Sequence, residues 1–302
     1  MQGKGGLAWY QRPIIFVSGK GGVGKSLVAA GIAKNLASQG RKVLLAELGE
    51  ISYYRDFWGL PAVGHEPIRH KDGFDLALWS GETCLREYVL HYLRIERIVN
   101  LFFENKVMKA LIGVAPGLAE IALVGKITSG LRKVGPPLSY DSIVVDCYAT
   151  GHAEALFMSP KGMREAIGVG PMGHHSREMD EILRNENLSA FCIVSLLEEL
   201  PVTETLEFAK NLRSQLGVHP RIVANKVLEM PVSEAELSRL HENEARNPLR
   251  EFTDYLVGVD RRQKRYLELL KTIDDELNRV PMIFESDPQK LVSQTGESLR
   301  LR

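Results

Sequence analysis

Eight residues carry the first chemical signal: Gly19-Lys20-Gly21-Gly22-Val23-Gly24-Lys25-Ser26 satisfies G-x-x-x-x-G-K-[ST]. These residue types suit the holding of a polyphosphate. Glycines let the backbone curl through positive φ, so that successive N–H groups converge on one set of phosphate oxygens. Gly21, Gly22, Val23, Gly24, Lys25, Ser26 and Leu27 are therefore the expected nucleotide-binding residues. Within that run Lys25 places a cation at the β and γ phosphates, and Ser26 offers a hydroxyl to Mg²⁺. The loop predicts a nucleoside triphosphate with Mg²⁺ as its cofactors.

Two further positions fit the same chemistry. Tyr140–His152 reads YDSIVVDCYATGH, an apolar run that ends at Asp146. A carboxylate there can hold a water of the Mg²⁺ shell. Alone, such an Asp is as well explained as a helix cap; beside a phosphate loop it becomes a metal candidate with Ser26. The next residues, Ala149-Thr150-Gly151-His152, are expected to form a loop that senses the γ-phosphate. Asn225 closes the run Ile222-Val223-Ala224. Its amide offers both a donor and an acceptor, and it equally suits a turn.

Elements must hold these groups in place. Pro13–Val17 reads as a strand running into the loop, and Leu27–Ala37 as a helix leaving it, with an anion-attracting N-terminus. Apolar runs at Ile14–Ser18, Val43–Glu47, Ser142–Asp146, Phe191–Leu196, Arg221–Asn225 and Val280–Phe284 lack polar alternation, as strands covered on both faces do. Helical patterns alternate with them, which predicts an α/β fold: a mostly parallel sheet flanked by helices. The long stretch between the second and third strands reads as mainly helical, with helices at Thr83–Phe103 and Leu118–Arg132 about the breaker Pro116-Gly117. Another helical segment runs from about Ser233 to Asn278, where Tyr266, Leu270, Ile273 and Leu277 make one apolar stripe suited to packing on the body. The expected organisation is one domain over 1–302, with a helical subdomain inserted at about 81–135 and 152–188.

Composition sets limits. The chain has 302 residues, enough for a large core without disulfides or a structural metal. Lys plus Arg number 38, as do Asp plus Glu, so the balance is neutral and argues against broad nucleic-acid binding. Three scattered cysteines, Cys84, Cys147 and Cys192, form no CxxC pair. The opening residues have no signal-peptide core, and the most apolar long stretch, Val107–Val124, is broken by Lys109, Pro116 and Glu120. No transmembrane segment is expected. A cytoplasmic location is expected, with peripheral attachment to a membrane left open.

The second lysine of the loop, Lys20, gives the form KGGVGKS, which resembles the deviant Walker A motif of the nucleotide-dimerised ATPases that include MinD, ParA, nitrogenase iron protein and the arsenite-pump ATPase ArsA. The resemblance implies that Lys20 reaches across a dimer interface to the partner's nucleotide, where a cation neutralises charge on the transferring phosphoryl group. The Asp146–His152 ending looks like the D-x-x-P-T-G-H switch of ArsA and of the guided-entry ATPases that target tail-anchored membrane proteins, with Ala149 at the proline. Ala115–Glu120 is similar to that branch's P-G-x-x-E, Ser195–Glu204 to its strand and Pro-started helix, and Ile222–Val227 to the strand whose terminal Asn recognises adenine.

One segment departs. After the second strand this branch commonly has S-T-D-P-A-H-N-L-S-D-A-F-G, and an ungapped match puts Gly49 at the first Asp and Asp56 at the second. The resemblance gives Asp56 the orienting of the attacking water. Glu47 and Glu50 flank the missing carboxylate and are candidates for part of its role. Asp56 otherwise reads as a surface carboxylate beside Arg55.

The resemblance makes the nucleotide ATP and thus implies an ATP-hydrolysing dimeric switch, either a homodimer or a heterodimer with a related ATPase, with Lys20, Lys25 and Asp56 as catalytic residues and a hydrophobic protein as client. Met158, Met163, Met172 and Met179 could line a groove for such a client, and periodicity favours placing them in the core. The arsenite-sensing cysteines have no counterpart, so anion transport is not supported. Two other readings share the loop: a positioning ATPase of the MinD/ParA type, and a weakly hydrolysing subunit paired with a paralogue.

Overall fold

The strand leading into the phosphate loop is β1, Ile14–Gly19, and all six residues are buried. Its side chains divide by period two: Ile14 and Phe16 enter the core on one face of the sheet, Ile15 and Val17 the core on the other. The computed structural model describes residues 8–93, 95–97, 103–105, 117–135, 138–167, 170–229, 248–299 and 301. Within them β1 belongs to an eight-stranded sheet with β2 (Val43–Leu48), β3 (Ile68–Arg69), β4 (Asp75–Trp79), β5 (Ser142–Ala149), β6 (Ser189–Ser195), β7 (Arg221–Val227) and β8 (Asn278–Pro281). The order is β3-β4-β2-β5-β1-β6-β7-β8. Neighbours are parallel except β3 and β4. The expected mostly parallel α/β sheet is therefore what forms.

Helices cover both faces. On one lie α1 (Lys25–Ser38), the short α2 (Tyr53–Trp58) and, after the last strand, α9 (Pro288–Ser298). On the other lie α3 (Gly81–Leu93), α4 (Leu118–Arg132), α5 (Thr150–Ala166), α6 (Gly170–Arg184), α7 (Glu199–Leu216) and α8 (Pro248–Lys271). Among these, α3 packs on α4, α4 on α5 and α6, and α5 on α6. Where α1 crosses α9, two glycines meet. A Cβ at Gly296 would stand 2.8 Å from the Gly31 carbonyl oxygen, and one at Gly31 would stand 3.0 Å from the Gly296 nitrogen.

Two strands lie where a mainly helical stretch is expected. β4 pairs with β2 from Leu44–Asp75 to Leu48–Trp79, and β3 pairs with β4 at the sheet's end. The run Leu76–Trp79 is too short for periodicity to separate strand from helix, and pairing against β2 supplies what composition lacks. The last strand also shifts. Pairing with β7 ends at Pro281, which has no N–H to give, and Phe284 is 85% exposed beyond it.

The stripe packs on the body as expected, with Leu270 fully buried and Tyr266, Ile273 and Leu277 against the same core, but the helix ends at Lys271 rather than near Asn278, so Ile273 and Leu277 reach that core from the turn leading into β8. Of the methionines, Met179 is buried, Met158 and Met163 pack on the core, and Met172 is exposed. All three cysteines are buried and free. Pro116, most of the stretch from Arg94 to Pro116 and the part of the second helical segment before Pro248 lie outside the described residues. No described helix is long and apolar enough to cross a membrane.

Candidate nucleotide and metal site

The loop sits at the C-terminal end of β1, between the ends of β5 and β6, where open parallel sheets bind ligands. Its glycines are required by geometry at two points. At Gly19 a Cβ would lie 2.1 Å from the Val194 carbonyl oxygen, so only glycine lets β1 and β6 stay this close as the chain turns away. Gly24 has φ +93°, and a Cβ there would strike the Asn225 amide nitrogen at 2.4 Å. Beside Gly21 and Gly22, by contrast, there is open space. The loop is packed from below and vacant on its outer side, as a phosphate cradle must be.

Helix α1 starts at Lys25 with no side-chain cap, so its first N–H groups are left for an anion. Val23 is buried and Leu27 packs against the α1-side core; these two anchor the loop while their backbones remain part of it. Lys25 curls over the loop, its Nζ 3.4 Å from the Lys20 carbonyl oxygen. Ser26 follows it at the helix start, half-buried.

Asp146 is paired in register with Val17 of β1 and Glu47 of β2. Its side chain is buried, and burial raises its pKa, with the nearby Ser26 and Tyr54 hydroxyls and Lys25 opposing the rise. The Tyr54 hydroxyl lies 3.0 Å from Asp146 Oδ2, while Oδ1 is buried with no hydrogen bond. An unpaired buried carboxylate oxygen is costly, and a hydrated Mg²⁺ beside Ser26 would satisfy it. The residues present therefore fit the metal that the loop implies. Elsewhere among the described residues no group of three His, Cys, Asp or Glu could hold a metal ion.

Glu47 stands beside Asp146, also buried and also raised in pKa, first by burial and further by the Asp146 charge, against hydrogen bonds from Ser52 and Tyr53. Its Oε2 accepts from the Ser52 hydroxyl at 2.5 Å and its Oε1 from the Tyr53 amide at 2.6 Å. Glu50 is exposed. Asp56 is not gathered with the loop: it lies exposed on α2 and accepts from Arg55 Nε at 2.8 Å, which lowers its pKa.

Lys20 is ion-paired within its own chain to Glu204 of α7, and the other oxygen of Glu204 accepts from the Thr150 hydroxyl at 3.2 Å. Thr150 opens α5. The segment Thr150–His152 is thus the first turn of a helix rather than the expected loop, because β5 continues to Ala149 and the chain turns directly into α5. That helix also has no side-chain cap, so a second set of free N–H groups faces the same edge of the sheet. Asn225 is buried; its amide nitrogen donates to the Val23 carbonyl at 2.8 Å and its Oδ1 accepts from the Lys226 amide at 2.9 Å. In this arrangement it braces the loop. Tyr54, Glu204 and Ser52 are the site residues that sequence reasoning missed. All three lie within segments already singled out, Ser52 and Tyr54 in the run after the second strand and Glu204 in Ser195–Glu204, but none was assigned a role there.

Comparison with known proteins agrees with this geometry. The model of the anion-transporting ATPase family matches residues 12–170. The ATPase BagA of Mycobacterium tuberculosis is 29% identical over 242 residues, which cover 76% of this chain and 69% of that protein. The ATPase GET3 of Podospora anserina is 25% identical over 308 residues, covering 89% of this chain and 84% of its own. A putative arsenical pump-driving ATPase of Halobacterium salinarum is 28% identical over 233 residues, 71% of this chain but 35% of that longer protein. With a phosphate loop, a buried aspartate on the adjoining strand β5, which runs three residues past the expected end at Asp146, and a match over more than half its length, the chain belongs to the anion-transporting ATPase (ArsA) family and is an ATPase of it.

Proposed function

We propose that this ATPase is a nucleotide-driven switch that works as a dimer, homodimeric or paired with a related ATPase, and that its client is a hydrophobic protein segment. The observation that carries the reading is the meeting at one sheet edge of the loop Gly21–Leu27, the Asp146 carboxylate with its unpaired oxygen, and Lys20 held ready on Glu204. The loop backbone and Lys25 hold the β and γ phosphates. Ser26 and Asp146 are the residues that would hold Mg²⁺ and a water of its shell, and the bound ion would supply charge neutralisation at the phosphates. Asn225 braces the loop and would meet the adenine edge with its amide. Lys20 leaves Glu204 to act across the two-fold interface. Asp56 orients the attacking water once the α2 segment has moved toward the nucleotide.

In this reading the chain works as one unit, its helices at about 81–135 and 152–188 forming the part that responds to the nucleotide. Exposed Phe252 and Tyr255, about one turn apart on α8, and Met172 on α6 are apolar surface that a client could cover. The place of action is the cytoplasm or the surface of a membrane. The test of the core of this reading is Lys25→Ala. Loss of the phosphate-directed charge should weaken Mg²⁺–ATP binding at least a hundredfold in a fluorescent-nucleotide titration, and unaltered affinity would refute the assignment.

A further inference from the structure

The hydroxyl of Tyr54 contacts both expected Mg²⁺ residues, and no part of the reading above uses it. The side chain is wholly buried. Its oxygen lies 3.0 Å from Asp146 Oδ2 and 2.8 Å from the Ser26 carbonyl oxygen, so it touches the carboxylate and the backbone of both expected Mg²⁺ residues. The ring is clamped. It stacks on Trp58 with centroids 4.9 Å apart, and Tyr53 meets it edge-on at 5.4 Å. Trp58 in turn lies against His70 and Phe74. A clamped ring fixes the hydroxyl, and the hydroxyl fixes the carboxylate: with Oδ2 taken, Oδ1 is the oxygen left for a metal-bound water.

Tyr54 also belongs to α2, the segment that carries Asp56. The start of α2 is gripped by the neighbouring strand-end acid, since Ser52 and the Tyr53 amide donate to Glu47, and Glu47 pairs in register with Asp146. Two adjacent carboxylates at the sheet edge thus hold consecutive residues of one short helix. The sequence run that this segment resembles has leucine where Tyr54 stands, so the hydroxyl is a feature of this chain.

We propose that Tyr54 is a positioning residue of the metal site: its hydroxyl sets the orientation of Asp146 for the Mg²⁺ shell and makes the placement of α2 depend on whether that shell is filled. The inference rests on the reading of Asp146 as a metal-shell residue. Groups that orient a metal-bound ligand change metal affinity about 10–100-fold when removed, and the smaller figure suits a residue acting on a water-mediated contact.

The decisive variant is Tyr54→Phe, which keeps the ring stack and deletes only the hydroxyl. A fluorescent ATP analogue is titrated with excess EDTA and again with Mg²⁺, and the gain in affinity on adding Mg²⁺ is compared with wild type. The expected result is a gain about tenfold smaller, with affinity in EDTA unchanged. An equal loss under both conditions would mean that Tyr54 serves packing alone, and an undiminished gain would mean that its hydroxyl does not act on the metal; either overturns the proposal. Asp146→Asn separates the two levels. If it keeps the full Mg²⁺ gain, the metal-shell reading itself fails; if it loses the gain while Tyr54→Phe does not, only the role of Tyr54 fails. Hydrogen exchange supplies a test without altering Tyr54. Adding Mg²⁺ to the nucleotide complex should increase protection across Tyr53–Trp58 in wild type but not in Asp146→Asn, and no such increase in wild type would overturn the link to α2.

Discussion

Exchanging Glu204 for glutamine should tighten the nucleotide-bound dimer. Glu204 holds Lys20, and a lysine that is to act on a partner's nucleotide must first leave that carboxylate. The two side chains are each 33% exposed, so the attraction is partly screened and belongs near the upper end for surface pairs, about 1 kcal/mol. Glutamine keeps the shape of the side chain and an oxygen for the Thr150 hydroxyl, and removes the charge. A two-fold dimer releases two lysines, so the sum is about 2 kcal/mol, or roughly a 30-fold lower dimer dissociation constant. Sedimentation with a slowly hydrolysed ATP analogue measures it. The difference between variant and wild type should shrink as ionic strength rises, because a pair this exposed is screened by salt. A dimer of equal or lower affinity in Glu204→Gln would refute the idea that this ion pair opposes closure. If Lys20→Ala also left the dimer and turnover unchanged, Lys20 would have no role across the interface.

Other outcomes follow from the same geometry. Asp56→Asn should leave ATP affinity within about twofold and slow turnover at least tenfold, read by steady-state phosphate release; unchanged turnover would move the water-orienting role elsewhere, with Glu47 first. Gly24→Ala forces a side chain into a left-handed backbone position and against Asn225, and should lower thermal stability while weakening nucleotide binding more than tenfold. The stability of the metal-free protein carries a pH signature from Asp146. Its folded pKa is raised, so the folded state holds more protons than the unfolded one, and its contribution to stability falls as pH rises from about 4 through that raised value. Melting temperatures of wild type and Asp146→Asn should therefore diverge in the variant's favour as pH rises across that range, and parallel curves would contradict the shift.

Much of this was legible in the sequence because the phosphate loop demands particular residue types at fixed spacing. The strands next to it are buried on both faces and read as continuous apolar runs. β3 and β4 were hidden by brevity: Asp75–Trp79 acquires its meaning from lying against β2. The segment after β5 suggests a loop from sequence, since nothing local in Ala149-Thr150-Gly151-His152 announces a helix that starts without a side-chain cap. Tyr54 and Glu204 show a different limit. Their partners are 92 and 54 residues away along the chain, Asp146 and Thr150 respectively, and a tyrosine in an aromatic run or a glutamate on a helix carries no sign of such contacts. Asn225 was found by its position, but its bond to the Val23 carbonyl belongs to the fold.

The two glycines where α1 crosses α9 bear on how motion is distributed. With backbone against backbone and no side chains between, that crossing has neither slack nor a bulky residue to rearrange, so α1 cannot slide without dragging the last helix with it. The phosphate loop is fastened to the front of α1 and is braced from beneath by Asn225. It therefore behaves as the fixed bed of the machine. In the proposed switch, displacement that follows nucleotide exchange would fall to α2 and to the start of α5, which are held by hydroxyl contacts, Tyr54 to the Ser26 carbonyl and Asp146, and Thr150 to Glu204. A substitution that loosens the glycine crossing, such as Gly296→Ala, would let the bed itself yield, and nucleotide binding would then spend its force on α1 rather than on the parts that carry the signal outward.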